Sequence, residues 1–364
     1  MKNEVEVNNR PTVNKLLLIN SSFFIMCAIS VIYSSNYSYG IDLTLRLLPT
    51  LVVPLCFYLV VHKTKVSLKN FEKHIMLLFY ISTIIFFVGI LIYNFFDGRF
   101  NKNYFIHISE RINSKYWKYS IHPIYASLFI CISLIFSIRI NKYINTKGLK
   151  NLFYISNLFL LLMLFMMMRK GAIILMLIIL LAYFIRKGNI KKIFLFIALV
   201  SILFIISMTI APVRNRFLEL FTFFIDGTNT AGSTSIRLKI YECSLKSVME
   251  NPVLGYGIGD VLNVLTECYS DFPNIFKGTK YNTHNQYFGA LMSSGILGLV
   301  SLLTILAYNF KLAYKSKNII YLFIVILFFG NMIFENILDR QNGIILFSFF
   351  INYFAFSSIQ KSKC

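Results

Sequence analysis

The amino-acid sequence predicts an all-α fold: a polytopic transmembrane helical bundle of about ten spans, with one large extracytoplasmic loop that itself contains short helices. Three observations carry that prediction. Hydrophobic residues make up 57% of the 364 and charged residues only 14%, against roughly 45–50% and 25% in soluble domains. Too little polar surface is left to cover a water-soluble body of this size. Apolar runs long enough to cross a bilayer recur from near residue 16 to near residue 358, and the Lys and Arg residues collect in the short segments between them.

In order, the runs are 16–34, 43–61, 75–93, 122–138, 152–168, 172–185, 193–210, 286–308, 319–334 and 343–358. The second carries Arg46 and two prolines, and 172–185 is short. A polar leader with Lys2, Arg10 and Lys15 precedes the first run. That run is nearer a span than a secretory h-region in length, and no small-residue cleavage site follows, so an uncleaved first helix is expected. One membrane domain over 1–364 is the simplest organisation.

The net charge is +21. With the N-terminus in the cytoplasm, Lys and Arg are more than twice as dense on the cytoplasmic side as on the other, as topology requires; acidic residues show the opposite bias. Both termini are therefore expected in the cytoplasm, with the long 211–285 loop on the opposite face. Basic loops also suit anionic headgroups, making membrane lipids a partner. The charge does not point to nucleic acid, because no basic, aromatic-interleaved soluble module is present to bind it.

Within the loop, Arg214 to Ile225 reads as an amphipathic interfacial piece. Ser233-Thr234-Ser235 offers N-cap residues for a helix through about Met249, which Asn251-Pro252 ends. Gly255-Tyr256-Gly257-Ile258-Gly259 reads as a flexible turn. Cys243 and Cys268 share the loop, and a disulfide and two free thiols are both open.

Polar groups at membrane depth are costly unless satisfied or functional, and four clusters stand out. Asn282-Thr283-His284-Asn285-Gln286 opens the 286–308 span; Thr283 or Asn282 would cap that helix, leaving a neutral His284 near its positive end as a general base. Arg237 lies on the loop helix with Tyr241 and Ser244 on the same face, and its planar guanidinium suits phosphate. Arg169-Lys170 interrupts two apolar runs where an anionic headgroup could bind. Glu335-Asn336-Ile337-Leu338-Asp339-Arg340-Gln341 joins the last two spans and, if helical, pairs Glu335 with Asp339 and Asn336 with Arg340. Each has a bland reading too: a capping histidine, solvated or snorkelling cations, a structural salt-bridge cluster. No DxD triplet, Walker A motif or GxSxG elbow occurs, and no Cys/His metal spacing, so neither a metal nor a cofactor is expected.

Together these pieces resemble the O-antigen ligase and polymerase family of integral membrane glycosyltransferases. The residues that carry the likeness run in order: Ser235-Ile236-Arg237-Leu238, Asn251-Pro252-Val253-Leu254-Gly255-Tyr256-Gly257-Ile258-Gly259, His284-Asn285-Gln286-Tyr287-Phe288 and Ser294-Gly295-Ile296-Leu297-Gly298. Arg169-Lys170-Gly171 looks like the family's Arg-Gly step before a span. His122-Pro123-Ile124-Tyr125 and the Glu335–Gln341 stretch look like the ligase-type variant. Tyr241 stands where the family has Trp, and Phe288 where it has Leu.

The resemblance implies metal-independent, inverting transfer of a glycan from undecaprenyl diphosphate to an acceptor sugar, lipid A-core in a ligase or another glycan in a polymerase. It implies His284 as the base and Arg237, Arg169, Arg340, Tyr241, Asn285, Lys170, Glu335 and His122 as substrate-binding residues. The chemistry fits: a diphosphate leaving group needs fixed cations where no metal serves. A lipid-linked sugar flippase is the rival of another class, but its cations would be spread through a membrane-depth cavity between two repeat halves.

Overall fold

The computed structural model describes residues 10–64, 66–96, 112, 121–188, 190–209, 214, 218, 233–276 and 278–360. Most of the expected amphipathic stretch over 214–225 lies outside them. The helices, in chain order, are α1 (Arg10–Ser30), α2 (Tyr37–Leu47), α3 (Pro49–Lys63), α4 (Glu72–Phe96), α5 (Pro123–Ile140), α6 (Lys147–Met166), α7 (Lys170–Arg186), α8 (Ile190–Thr209), α9 (Ser233–Glu250), α10 (Val261–Tyr269), α11 (Pro273–Phe276), α12 (Gln286–Lys315), α13 (Ile319–Phe334) and α14 (Gln341–Ile359). No strand occurs among the described residues. A helix satisfies its own backbone groups, which is what a hydrocarbon solvent demands.

Each expected apolar run falls on a helix. Among the described residues, seven helical stretches are long and apolar enough to cross a membrane: Thr12–Tyr33, Tyr37–Lys63, Leu68–Tyr93, Pro123–Tyr143, Lys147–Met166, Gln286–Lys315 and Gln341–Ile359. Of the other runs, α13 and the apolar part of α8 are shorter. The doubtful 43–61 run is divided between α2 and α3 at Pro49, with a second proline, Pro54, inside α3. Outward faces of the long helices are apolar, as at Leu18, Leu78 and Ile85.

The chain forms two compact units, Met1–Asn70 with Phe223–Cys364, and Phe71–Thr222. In the second, α5 is buried along most of its length and packs against α4, α6 and α7. The Arg139 guanidinium pairs with Glu72, and Ser133 donates to Thr83 at 2.8 Å.

In the first unit α12 is the central helix, packed on α1, α13 and α14. A polar network ties these four together. Asn20 Nδ2 donates to Asn352 Oδ1, and Asn309 Nδ2 to Asn20 Oδ1, each at 2.8 Å. The Tyr321 hydroxyl donates to Asn309 Oδ1 at 2.5 Å. All four residues are buried.

The Asn251–Gly259 loop is not the flexible turn its glycines suggest. It is clamped between α1 and α12. The N–H groups of Ile258 and Gly259 donate to the hydroxyls of Ser30 and Ser34 (3.2 and 3.1 Å), and Tyr33 donates to the Leu254 carbonyl at 2.7 Å. The Asp260 carboxylate accepts from the N–H groups of Ser35 and Asn36 at 2.5 and 2.9 Å, closing the end of α1. On the other side α12 breaks at Ser294 and Gly295, where Gly295 has φ +60°. The loop occupies the break: Tyr256 N–H donates to the Met292 carbonyl at 2.8 Å, and Ile296 N–H to the Pro252 carbonyl at 3.0 Å. A Cβ on Gly295 would stand 1.9 Å from the Val253 carbonyl oxygen, and one on Gly257 (φ +89°) 2.3 Å from Ser34 Oγ. The glycines are there for backbone-to-backbone approach.

Candidate functional site

The site grows from two short segments at neighbouring helix ends in the first unit. One is Tyr281–Asn285, leading into α12. Asn285, rather than Thr283 or Asn282, is the cap: its Oδ1 accepts from the N–H groups of Tyr287 and Phe288 at 2.9 and 3.2 Å. His284 precedes it with φ +44°, a conformation uncommon for a residue with a Cβ. Two bonds hold it there. Its N–H donates to Asn282 Oδ1 at 3.2 Å, an Asx turn. Its carbonyl lies 3.2 Å from the Tyr241 hydroxyl of α9.

The other segment leaves α13. Glu335 is extended (φ −158°, ψ 152°), Ile337–Asp339 makes one 3-10 turn, and Arg340 precedes α14. The helical pairings expected here, Glu335 with Asp339 and Asn336 with Arg340, are therefore replaced. Each acidic side chain turns instead toward the histidine segment. Glu335 Oε1 lies 2.9 Å from His284 Nδ1, and Asp339 Oδ2 accepts from Asn282 Nδ2 at 2.7 Å. The Thr283 hydroxyl is within 2.9 Å of Asn336 Oδ1, and Gln286 Oε1 accepts from Leu338 N–H at 2.8 Å. Pairing two buried polar segments with each other satisfies groups that continuing the helix would leave facing lipid.

The electrostatics follow. The Glu335 side chain is only 8% exposed and that of His284 22%. With Nδ1–H donating to the carboxylate, the basic lone pair falls on Nε2, the nitrogen left for a reactant. Burial pushes the Asp339 carboxyl up to about 6, opposed by the Asn282 hydrogen bond and reinforced by the charge of Glu335. Burial likewise raises the Tyr241 phenol above its ordinary value, with Arg237 acting against the shift.

The structure thus brings together His284, Glu335, Tyr241 and Asn285 of the expected set. Arg237 is half-buried one helical turn before Tyr241, while Ser244, expected on the same face, is buried with its hydroxyl on the Ile240 carbonyl. Arg340 is exposed beside Asp339. Three expected residues belong to the second unit. His122 precedes Pro123 at the start of α5, its ring 6.1 Å from that of Tyr125. Arg169 and Lys170 are half-buried at the step between α6 and α7, following Met168 at φ +52°. Asn282 and Thr283, expected as helix caps, and Asn336 and Asp339, expected as partners within one helix, instead join the two segments to each other. The signal for them was topological: an outgoing and a returning span placed two polar clusters at the same membrane face. Among the described residues, no group of three or more His, Cys, Asp or Glu is placed to hold a metal ion.

Behind the site, α9, α10 and α11 share a small core with α12, made of Ile240, Leu265, Tyr269, Phe276 and Met292. The Cys243–Cys268 pair is closed as a disulfide, with Cα atoms 5.9 Å apart.

Residues 155–303 match the family model described as O-Antigen ligase; the match takes in Arg169, Arg237, Tyr241 and His284 and stops short of Glu335. No curated protein matches the chain. Over residues 155–303 the chain is thus similar to O-antigen ligases, within a body that is all-helical among the described residues and has seven helices there long and apolar enough to cross a membrane.

Proposed function

We propose that the protein is a ligase-type glycosyltransferase that moves a glycan from undecaprenyl diphosphate to a sugar hydroxyl of lipid A-core at the periplasmic face of the inner membrane. The single observation that carries the mechanism is the His284–Glu335 pair, which leaves Nε2 as a base at the helix end. The acceptor hydroxyl is a weak nucleophile at neutral pH. As its oxygen attacks the anomeric carbon from the face opposite the diphosphate, its proton passes to Nε2. The imidazolium that forms is stabilised by the Glu335 carboxylate. The anomeric C–O bond breaks, the electron pair leaves with the diphosphate, and configuration inverts. General base catalysis of this kind contributes about 10²–10⁴-fold.

The leaving diphosphate gathers negative charge, which preorganised cations offset; Arg237 and Arg340 take that part in the first unit. Arg169, Lys170 and His122 are proposed as donor-binding residues on the family resemblance. The periplasmic orientation is supported by the charge bias and by the Cys243–Cys268 disulfide, since such bonds persist in oxidising compartments. A polymerase would use the same chemistry with a glycan acceptor.

The test is the full chain in liposomes with a lipid-linked glycan donor and a lipid A-core acceptor. The wild type should yield a glycosidic product without added metal, and His284→Ala, at equal folded amount, should lose it almost entirely. Product from His284→Ala at the wild-type rate would overturn the mechanism. In a deletion strain, lipopolysaccharide core carrying a single repeat unit would identify a polymerase instead.

A further inference from the structure

The Asn251–Gly259 loop carries an apolar tip that no element among the described residues covers. Val253 and Leu254 are 61% and 57% exposed, although the backbone on either side is pinned. Their neighbours on α12, Ile296 and Leu297, are 44% and 55% exposed, so the tip continues the outward face of a membrane-crossing helix.

Two rulers give its depth. The Pro252 carbonyl accepts from Ile296 N–H, so the tip is level with Ile296. Lys311, exposed on the same helix and the first charged residue after Ile296, is taken as the far boundary of the hydrocarbon. Ile296 lies fifteen residues before it, about 22 Å at 1.5 Å per residue. In a core about 30 Å thick, that leaves Ile296 about 8 Å inside the near boundary. The second ruler is α1. Lys15, whose ammonium lies over the Tyr308 ring, marks its boundary, and Tyr33, bonded to the Leu254 carbonyl, is eighteen residues on. That is about 27 Å, or about 3 Å inside.

We infer that Pro252-Val253-Leu254 is a re-entrant wedge, sunk into the leaflet on the His284 side with its side chains among the upper acyl segments of membrane lipids. Non-helical backbone at membrane depth is tolerated only where protein satisfies its polar groups. Here Met292, Ser30 and Ser34 do so, leaving apolar side chains to meet the lipid. The inference rests on the membrane crossing alone and not on glycan transfer, so failure of either reading leaves the other standing.

The sequence holds one tryptophan, Trp117, which makes fluorescence a clean probe. In a Trp117→Phe background, Leu254→Trp, Leu297→Trp and Asn263→Trp are reconstituted as full chains in vesicles of phosphatidylcholine brominated high or low on the acyl chain. Leu254→Trp should emit in the blue and lose as much intensity as Leu297→Trp, more to bromines near the headgroup than near the terminal methyl. Asn263→Trp, on an exposed helix position, should emit in the red and lose little. Emission from Leu254→Trp like that of Asn263→Trp would place the tip in water and overturn the inference. Blue emission without quenching would overturn it equally, by showing a protein surface, such as a second copy of the chain, over the tip. All three substitutions are at exposed side chains, and gel filtration of each confirms the fold.

Discussion

Replacing Glu335 by glutamine tests how the base is held. The side chain keeps its shape, and its carbonyl oxygen can still accept from His284 Nδ1 across the 2.9 Å contact, so tautomer and orientation survive. What disappears is the negative charge facing the imidazolium that forms as the acceptor proton arrives. Hydrogen bonds to charged groups contribute about 1.5–3 kcal/mol and neutral ones about 0.5–1.5. The difference, on the order of 1–2 kcal/mol, falls on the transition state. At about 1.4 kcal/mol per tenfold, single-turnover glycan transfer should slow by roughly 5–30-fold with donor binding unchanged. Glu335→Leu removes the acceptor as well, leaves Nδ1–H buried and unpaired, and frees the wrong tautomer; its loss should approach that of His284→Ala. The assay is quenched-flow product formation in liposomes at saturating donor. A wild-type rate for Glu335→Gln, or equal effects of the Gln and Leu variants, would refute a role for the carboxylate charge.

Asp339 should make folding stability depend on pH. Burial lifts its carboxyl from the ordinary 3.8 to about 6, so the native state holds the proton more tightly than the unfolded one. Stability is therefore greatest below about pH 4, falls as pH rises through the window from about 4 to 6, and is level above it, an effect on the order of 3 kcal/mol. Asp339→Asn should abolish that part of the slope in thermal unfolding of the detergent-solubilised chain; an unchanged slope would exclude the residue. Gly295→Ala should prevent accumulation of folded protein, because its Cβ would overlap the Val253 carbonyl, whereas Gly148→Ala, with nothing within 4 Å, should be neutral or slightly stabilising by fluorescence-detected gel filtration. Cys243→Ser should lower stability by about 3 kcal/mol through loss of a loop closure of 25 residues. It should also leave Cys268 open to alkylation, which an intact disulfide prevents.

The bundle was legible because hydrocarbon imposes one strong constraint, and runs such as 75–93 or 343–358 satisfy it with little else in the way. The disulfide was not, since two cysteines in one loop say nothing about how α9 and α10 turn their faces. His284 and Glu335 were both singled out, yet their pairing was hidden by reading 335–341 as helix. Local spacing favoured Glu335 with Asp339, and a contact across 51 residues outweighed it. The glycine loop was misread for a related reason. Sequence shows that glycine permits motion, but only the approaching carbonyls of Met292 and Val253 show that here it permits contact.

The buried amides of α1, α12, α13 and α14 carry a consequence for biogenesis. Asn20 has its partners 289 and 332 residues further along the chain. At about 5–20 residues per second, the ribosome needs roughly 15–60 s after making α1 before Asn309 emerges. Through that interval the Asn20 carboxamide lacks both partners and has only the backbone of its own helix to turn to, as Asn309 and Asn352 each do in part. The Asn20 side of the network is therefore its last part to close, once the helices carrying Asn309 and Asn352 have been made.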